Sequence, residues 1–275
     1  ILQRRLGNLE LASTAFQGAL RQDPKELSAM VNLGQTLIAL GRVAEGQALL
    51  RRHAEQATLA DRIDVYRRSS LVKGATAVNF LHLGRLHVRS RNFVEAANAY
   101  RRALELDSGS TEATIGLAAL FLRGGQMEEA TKWAVRTLLT DPENARAYFL
   151  LGMVRLSKGE IAEALKGFET SEQHEPWGAD KLRVAADSLR SAGHDQVAAR
   201  YYERAIALDP TSASGHYGLG LAQIGLEQQN AAMANLRRAI ELDPSDASGH
   251  LLLALLLHRG GETGAARHAF ADAAK

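Results

Sequence analysis

The chain has no cysteine, which excludes disulfides, thiolate nucleophiles and cysteine-based metal sites. That absence suits both a reducing cytosol and an oxidising periplasm, with the cytoplasm the first expectation and the periplasm the alternative. Aromatic residues make up only 5% of the sequence, too few for a β-sandwich rich in Val, Ile, Thr and rings. The longest apolar run, LLLALLL at 251–257, is too short to span a bilayer, so no direct membrane insertion is expected. Charge of one sign is missing too. With 33 basic against 31 acidic residues the formal charge is +2, short of the clustered excess expected of a nucleic-acid binder.

What is present describes a folded helical chain. Hydrophobic residues account for 46% and charged residues for 23%, with Ala and Leu supplying most of the apolar mass. That mix favours close helix–helix packing. The preference for Arg over Lys and the richness in Ala suggest a bacterial protein. The first residue is Ile1 and not Met, which reads as a piece or processed product of a longer chain.

Proline is scarce, and its placement carries the main signal. Pro142, Pro176, Pro210 and Pro244 follow one another at intervals of 34 residues, and one further step back lands on Ser108 in LELDSGS. The stretches SASGHYGLG from Ser212 and DASGHLLLA from Asp246 repeat at the same spacing. A fixed period of this size marks a structural unit that stacks on copies of itself. The units are expected at 77–110, 111–144, 145–178, 179–212 and 213–246, with a partial one at 247–275.

Other positions recur within these frames. The twentieth residue is Ala96, Ala130, Ala164, Ala198, Ala232 and Ala266, and the eighth alternates between Gly and Ala, from Gly84 to Ala254. The twenty-fourth is large in Tyr100, Phe168, Tyr202, Leu236 and Phe270, with Ala134 the exception. Small residues at fixed places let two helices approach, and the large one fills the space beside them. Apolar spacing then predicts two helices per unit, the second ended by Pro. Ser110, Asn144, Gly178, Ser212 and Asp246 serve as N-caps of the following helix, and Gly125, Gly159, Gly193 and Gly261 make the turn between helices.

On these residues the chain resembles the tetratricopeptide repeat family. In 145–178 the family pattern is met by Tyr148, Leu151, Gly152, Ala164, Phe168 and Pro176, with Ser171 replacing an Ala. Ala12, Phe16, Ala19 and Pro24 fit the second half of a unit, giving a partial unit at 1–26. Another opens at Leu27 with Met30, Leu33, Gly34 and Gly41 but runs to 76, with Gly46 and His53 where Ala is expected. Its extra length, ATLADRIDVYRRSSLVKGAT, predicts a short additional helix carrying Leu59, Ile63 and Tyr66, then a loop from Ser69 to Gly74. A plain insertion and a partner-specific contact are both compatible with it. The resemblance implies an all-α, right-handed superhelical solenoid of 34-residue helix–turn–helix repeats forming one domain over 1–275, its first helices lining a concave groove.

Chemistry finds no foothold in the motifs. Nine histidines include no His-Glu-x-x-His; His82 and His87 stand five apart and diverge on a helix. His216 and His250 occupy the fourth repeat position, where packing or hydrogen bonding is expected. GLGLAQIG at 218–225 lacks the spacing and the preceding strand of a dinucleotide loop. No catalytic residue, metal or cofactor is expected, and the chain is read as a non-enzyme.

Function is then expected in the groove. By the register that the resemblance implies, Arg85, Arg89, Arg123, Arg146, Phe149, Met153, Arg183, Arg190 and Tyr217 face it. An apolar floor at Phe149 and Met153 flanked by arginines suits a protein or peptide partner with acidic and apolar residues. HLLLALLLH in the last unit is the most apolar segment, and left wet it would forfeit several kcal/mol at ~25 cal/mol per Å². It reads as a surface for self-association or for further repeats. The leading expectation is a protein–protein interaction scaffold within a larger protein. The alternative is a structural spacer or dimerisation arm attached to an effector, enzyme or membrane domain. An RNA reader is argued against by the 34-residue period and the near-neutral charge.

Overall fold

The computed structural model describes residues 9–71 and 76–273, leaving aside the side chains at 27, 28, 54, 56, 57, 65 and 68–71. Among the described residues every regular element is an α-helix, and there are fifteen. In chain order they are α1 Leu9–Gln22, α2 Leu27–Ala39, α3 Val43–Leu71, α4 Ala77–Arg89, α5 Phe93–Leu106, α6 Thr111–Arg123, α7 Met127–Thr140 and α8 Ala145–Ser157. There follow α9 Ile161–His174, α10 Ala179–Ser191, α11 Asp195–Leu208, α12 Ala213–Gly225, α13 Gln229–Leu242, α14 Ala247–Arg259 and α15 Thr263–Ala273. From α4 to α14, helices of 13 and 14 residues alternate without a break. The chain divides into two compact units, Ile1–Leu120 and Phe121–Lys275.

The turn inside each pair rests on one backbone angle. Gly41, Gly125, Gly159, Gly193 and Gly261 all have φ between 73° and 83°, the left-handed region that a Cβ disfavours. In each case the following amide donates five residues back, as from Gln126 to Phe121 and from Glu160 to Arg155, both 2.9 Å. This is a Schellman closure, which satisfies carbonyls that the helix end leaves open. At the equivalent place in two pairs stand Arg91 and Glu227, with φ of 60° and 59° and the same hydrogen bonds.

The corner between pairs differs from the expectation that proline ends the helix. The second helices stop at Leu106, Thr140, His174, Leu208 and Leu242, before the proline position is reached. The next residue, Asp in four of the five, is already extended at φ of −134° to −141°. A following proline pushes its predecessor out of the helical region. The Asp carboxylate holds the corner by accepting the amide two residues on, at 3.1 Å from Gly109 to Asp107 and 3.0 Å from Thr211 to Asp209. Asn144, Ser212 and Asp246 then cap the next helix through their side chains.

The repeated small residues are core residues. Ala96, Ala130, Ala164, Ala198, Ala232 and Ala266 are all at most 2% exposed. The large residue beside them sits between two helices. A Cβ added to Gly84 or to Gly116 would lie 2.6 Å from the Tyr100 ring, and one added to Gly218 would lie 2.3 Å from that of Tyr202. The paired glycines therefore make room for a tyrosine. Where the large residue is Phe168 or Leu236, the corresponding place in the next unit holds Val184 or Leu252 instead.

The expected short extra helix is not formed. From Val43 to Leu71 the chain is one continuous helix of 29 residues, so the added sequence lengthens the second helix of that pair. Nothing in the run from Arg51 to Leu71 breaks a helix, since it holds neither Gly nor Pro. Residues 69–71 of the expected loop are helical, and 72–75 lie outside the described residues. Gly46, where Ala was expected, has a packing reason: a Cβ there would come within 2.5 Å of the Gly34 carbonyl oxygen.

Candidate functional site

In the second unit the first helices of successive pairs touch one another, α8 against α10 and α10 against α12. Of the residues expected from the register, that row carries Arg146, which is exposed, and Phe149, Met153, Arg183, Arg190 and Tyr217, which are half-buried. Phe149 and Met153 are four residues apart on α8, hence on one face, and both are half-buried. Phe149 lies 5.4 Å from the Phe168 ring and edge-on to Trp177 at 5.2 Å. Tyr201 completes the group, 6.4 Å from Phe168 and 6.1 Å from Trp177. Edge-to-face geometry at these separations adds to the burial of the rings themselves.

Trp177, Tyr201 and Lys181 were not among the residues expected. Trp177 occupies the corner between α9 and α10, and its indole N–H donates to the Ser171 hydroxyl at 3.1 Å. Ser171 thus stands in the place of an Ala because the buried indole needs an acceptor. The Lys181 ammonium lies over two rings, 5.5 Å from Phe149 and 5.2 Å from Trp177. It meets Glu175 at 3.5 Å, and burial lowers its pKa from the ordinary lysine value against the opposing pull of Glu175. Arg146, exposed at the start of α8, adds a second positive charge near Lys181 and lowers that pKa further. One sequence clue was available: a Trp following the corner proline has no role in the repeat pattern.

Beside Met153 opens a cleft of about 480 Å³, lined by Met153, Leu156, Ser157, Asp187, Ser188, Ser191 and Ala192. Its three serine hydroxyls donate to carbonyls of their own helices, those of Met153, Val184 and Asp187, at 2.8–2.9 Å. Their oxygens therefore face the cleft as acceptors. Asp187 accepts from Arg183 at 3.0 Å and from the Tyr202 hydroxyl at 2.6 Å. Burial first, and the Asp187 carboxylate second, push the Tyr202 phenol far above its ordinary pKa, so it remains a donor.

The arginines thus differ in what they offer. Arg183 is held by Asp187 and lies 3.7 Å from Asp180. Arg190 lies near the Tyr202 and Tyr217 hydroxyls, and its Nε is buried without a hydrogen-bond partner among the described residues. Tyr217 is half-buried against the core formed by α13, α14 and α15. Arg123 is exposed at the last turn of α6. In the first unit, Arg85 meets Glu112 at 3.2 Å and donates to His82 Nδ1, and Arg89 is exposed at the end of α4. The structure brings Phe149, Met153, Arg146 and Arg183 into one neighbourhood with Lys181 and Asp187. It places Arg85 and Arg89 in the other unit.

At the fourth repeat position, His216 and His250 donate through Nε2 to the Pro210 and Pro244 carbonyls at 3.3 and 3.2 Å. Tyr148 makes the same bond to Pro142 at 3.1 Å. No group of three or more His, Asp or Glu among the described residues is placed to hold a metal ion. None of the described helices is long and apolar enough to cross a membrane.

Comparison with known proteins sets this geometry in a family. A Tetratricopeptide repeat profile matches residues 81–138 and 183–228, a TPR repeat profile matches 224–261, and a further Tetratricopeptide repeat profile matches 4–63. No curated protein sequence matches the chain. Solved structures similar to it include YrrB, "a TPR protein with an unusual peptide-binding site", at 21% identity and a TM-score of 0.50, covering 65% of this chain and 92% of that one. A chain of the APC/C hetero-tetramer Cut9–Hcn1 is 18% identical with a TM-score of 0.62, covering 98% of this chain and 51% of that one. PilF of Pseudomonas aeruginosa is 18% identical with a TM-score of 0.57, covering 70% of this chain and 88% of that one. Helix pairs of fixed length, turns closed at one repeated backbone angle and profile matches along the sequence lead to one conclusion: the chain belongs to the tetratricopeptide repeat family.

Proposed function

We propose that the chain holds an extended segment of a partner protein along the first-helix row of its second unit. An apolar side chain of that segment enters the cleft beside Met153, and its acidic residues meet Arg146 and Lys181. The observation that carries this reading is the juxtaposition, along one face of α8, of the cleft of about 480 Å³ beside Met153 with Arg146, an exposed cation that has no acidic partner among the described residues. Pockets of some 300–1,000 Å³ with a few placed polar groups are the usual form of a binding site. The serine oxygens and Asp187 add acceptors for the segment's backbone amides. A protein-interaction scaffold is what the family supports in general, and a peptide-binding site is described for the similarly folded YrrB.

The test is binding of a captured partner, measured by titration against two variants of equal helicity and melting. Arg146→Glu and Met153→Glu should each weaken it by at least about tenfold, the loss of roughly one desolvated contact. Undiminished binding in both would remove the groove reading.

A specific observation favours the alternative of a spacer or dimerisation arm. Leu251 and Leu255 on α14 are 45% and 49% exposed, and with Phe270 of α15 at 38% they form an uncovered apolar face. If this face pairs copies of the chain, Leu251→Glu will convert a sedimenting dimer to monomer without loss of helicity.

A further inference from the structure

The lengthened α3 creates a second hollow, in the first unit. Its added turns bring Leu59 and Ile63 beside the corner at Pro24–Lys25 and the turn that follows α4, enclosing about 550 Å³. Leu59 and Ile63 form an aliphatic floor, and the walls carry four cations: Lys25, Arg52, Arg89 and Arg91. No lining residue among those described is acidic. The Lys25 ammonium donates to the Ser90 carbonyl and, at 2.9 Å, to the Asn92 side chain, both neutral. Asp23 accepts the Lys25 backbone amide and does not line the hollow. Four positive charges thus converge on an apolar floor with no acidic residue among the described lining.

Arg91 points the same way independently. It occupies the left-handed turn position, φ 60°, that glycine fills in five other pairs and Glu227 in a sixth. A side chain there strains the backbone, and this one lines the hollow.

From these observations we infer that the hollow is a docking site for an acidic segment of a partner protein, distinct from the cleft beside Met153. One aliphatic side chain of the segment rests on Leu59 and Ile63, and its flanking carboxylates meet Arg52, Arg89 and Arg91. Guanidinium groups bind carboxylates bidentately and more strongly than they bind water-exposed charge in the open. Among the described residues the lining contains no aromatic ring on which a nucleotide base could stack. A bare phosphate would leave the aliphatic floor unused. The volume suits a few residues of chain and falls in the ordinary range of binding pockets.

The experiment is selection from a displayed library of random short peptides on the full chain, followed by titration of the selected peptides. Sequences combining Asp or Glu with a Leu, Ile or Val are expected. Their binding should fall at least about tenfold in Arg89→Glu. It should hold in Arg102→Glu, which makes the same charge change outside the hollow, and in Arg146→Glu, which alters the other site. Arg91→Gly supplies the sharpest arm, since it relieves the backbone and removes the side chain together. It should melt higher than the parent and bind the peptides more weakly. An unenriched library, binding that survives Arg89→Glu and Arg91→Gly, or tighter binding of ATP or inorganic phosphate than of any selected peptide would each overturn the inference.

Discussion

The Tyr202 ring packs against the bare backbone of Gly218, so close that a Cβ on Gly218 would stand 2.3 Å from Cε1. The two residues come from neighbouring units, and their fit joins one unit to the next. Gly218→Ala is expected to destabilise the protein by about 1–3 kcal/mol, the usual penalty for overpacking a core. Combined with Tyr202→Leu, which reproduces the environment of Leu236, the same change should do far less harm. Urea unfolding of the two single variants and the double gives the coupling directly. Additive effects would show that the ring and the glycine do not share that space.

Glu227 carries a left-handed backbone at the place where five other pairs have glycine, and its side chain is exposed. Glu227→Gly removes that strain and should stabilise by about 1 kcal/mol, even after the entropy that glycine loses on folding. Gly193→Ala, the reverse change at the equivalent turn of the preceding pair, should destabilise by about as much. Thermal melts would decide it, and a lower midpoint for Glu227→Gly would contradict the turn analysis.

His87 on α4 has its Nδ1 buried without a hydrogen-bond partner among the described residues. Burial lowers its pKa below the ordinary imidazole value; Glu95 opposes the shift and Arg67 reinforces it. The unfolded chain therefore takes up this proton at a higher pH than the folded one. The group leaves stability unaffected above the ordinary histidine range and weakens the fold as pH falls through it toward the folded value. Melting midpoints should drop between about pH 7 and pH 5, and His87→Leu should flatten that part of the profile relative to the parent. An unchanged slope would mean that His87 is charged in the folded protein.

The register of the repeats was legible because the alanines of the twentieth position and the large residues of the twenty-fourth are placed by packing that recurs from pair to pair, with Gly46 and Ala134 as departures. What was not legible lay off the pattern. Trp177, Tyr201 and Lys181 sit at positions to which a repeat assigns nothing, and their grouping comes from the side-by-side arrangement of α8, α10 and α11. The continuity of α3 was missed because its added residues were read as a separate segment, although they contain no helix breaker. Gly218 has no reason within its own helix; the reason, the Tyr202 ring, belongs to the preceding unit. Arg183, expected in the groove, pairs with Asp187 four residues on along the same helix, a pairing that spacing alone could have shown.

The pairing of tyrosine with glycine across a unit boundary also limits how such an array can be edited by deletion or duplication. Removing 213–246 would join Tyr202 to the unit whose sixth residue is Leu252, setting a leucine where the ring now meets a hydrogen atom. Duplicating the same stretch would instead bring a glycine against Leu236, leaving a void in place of a collision. The units share one length and one turn but are not interchangeable parts: each carries, at its twenty-fourth residue, a condition on its successor.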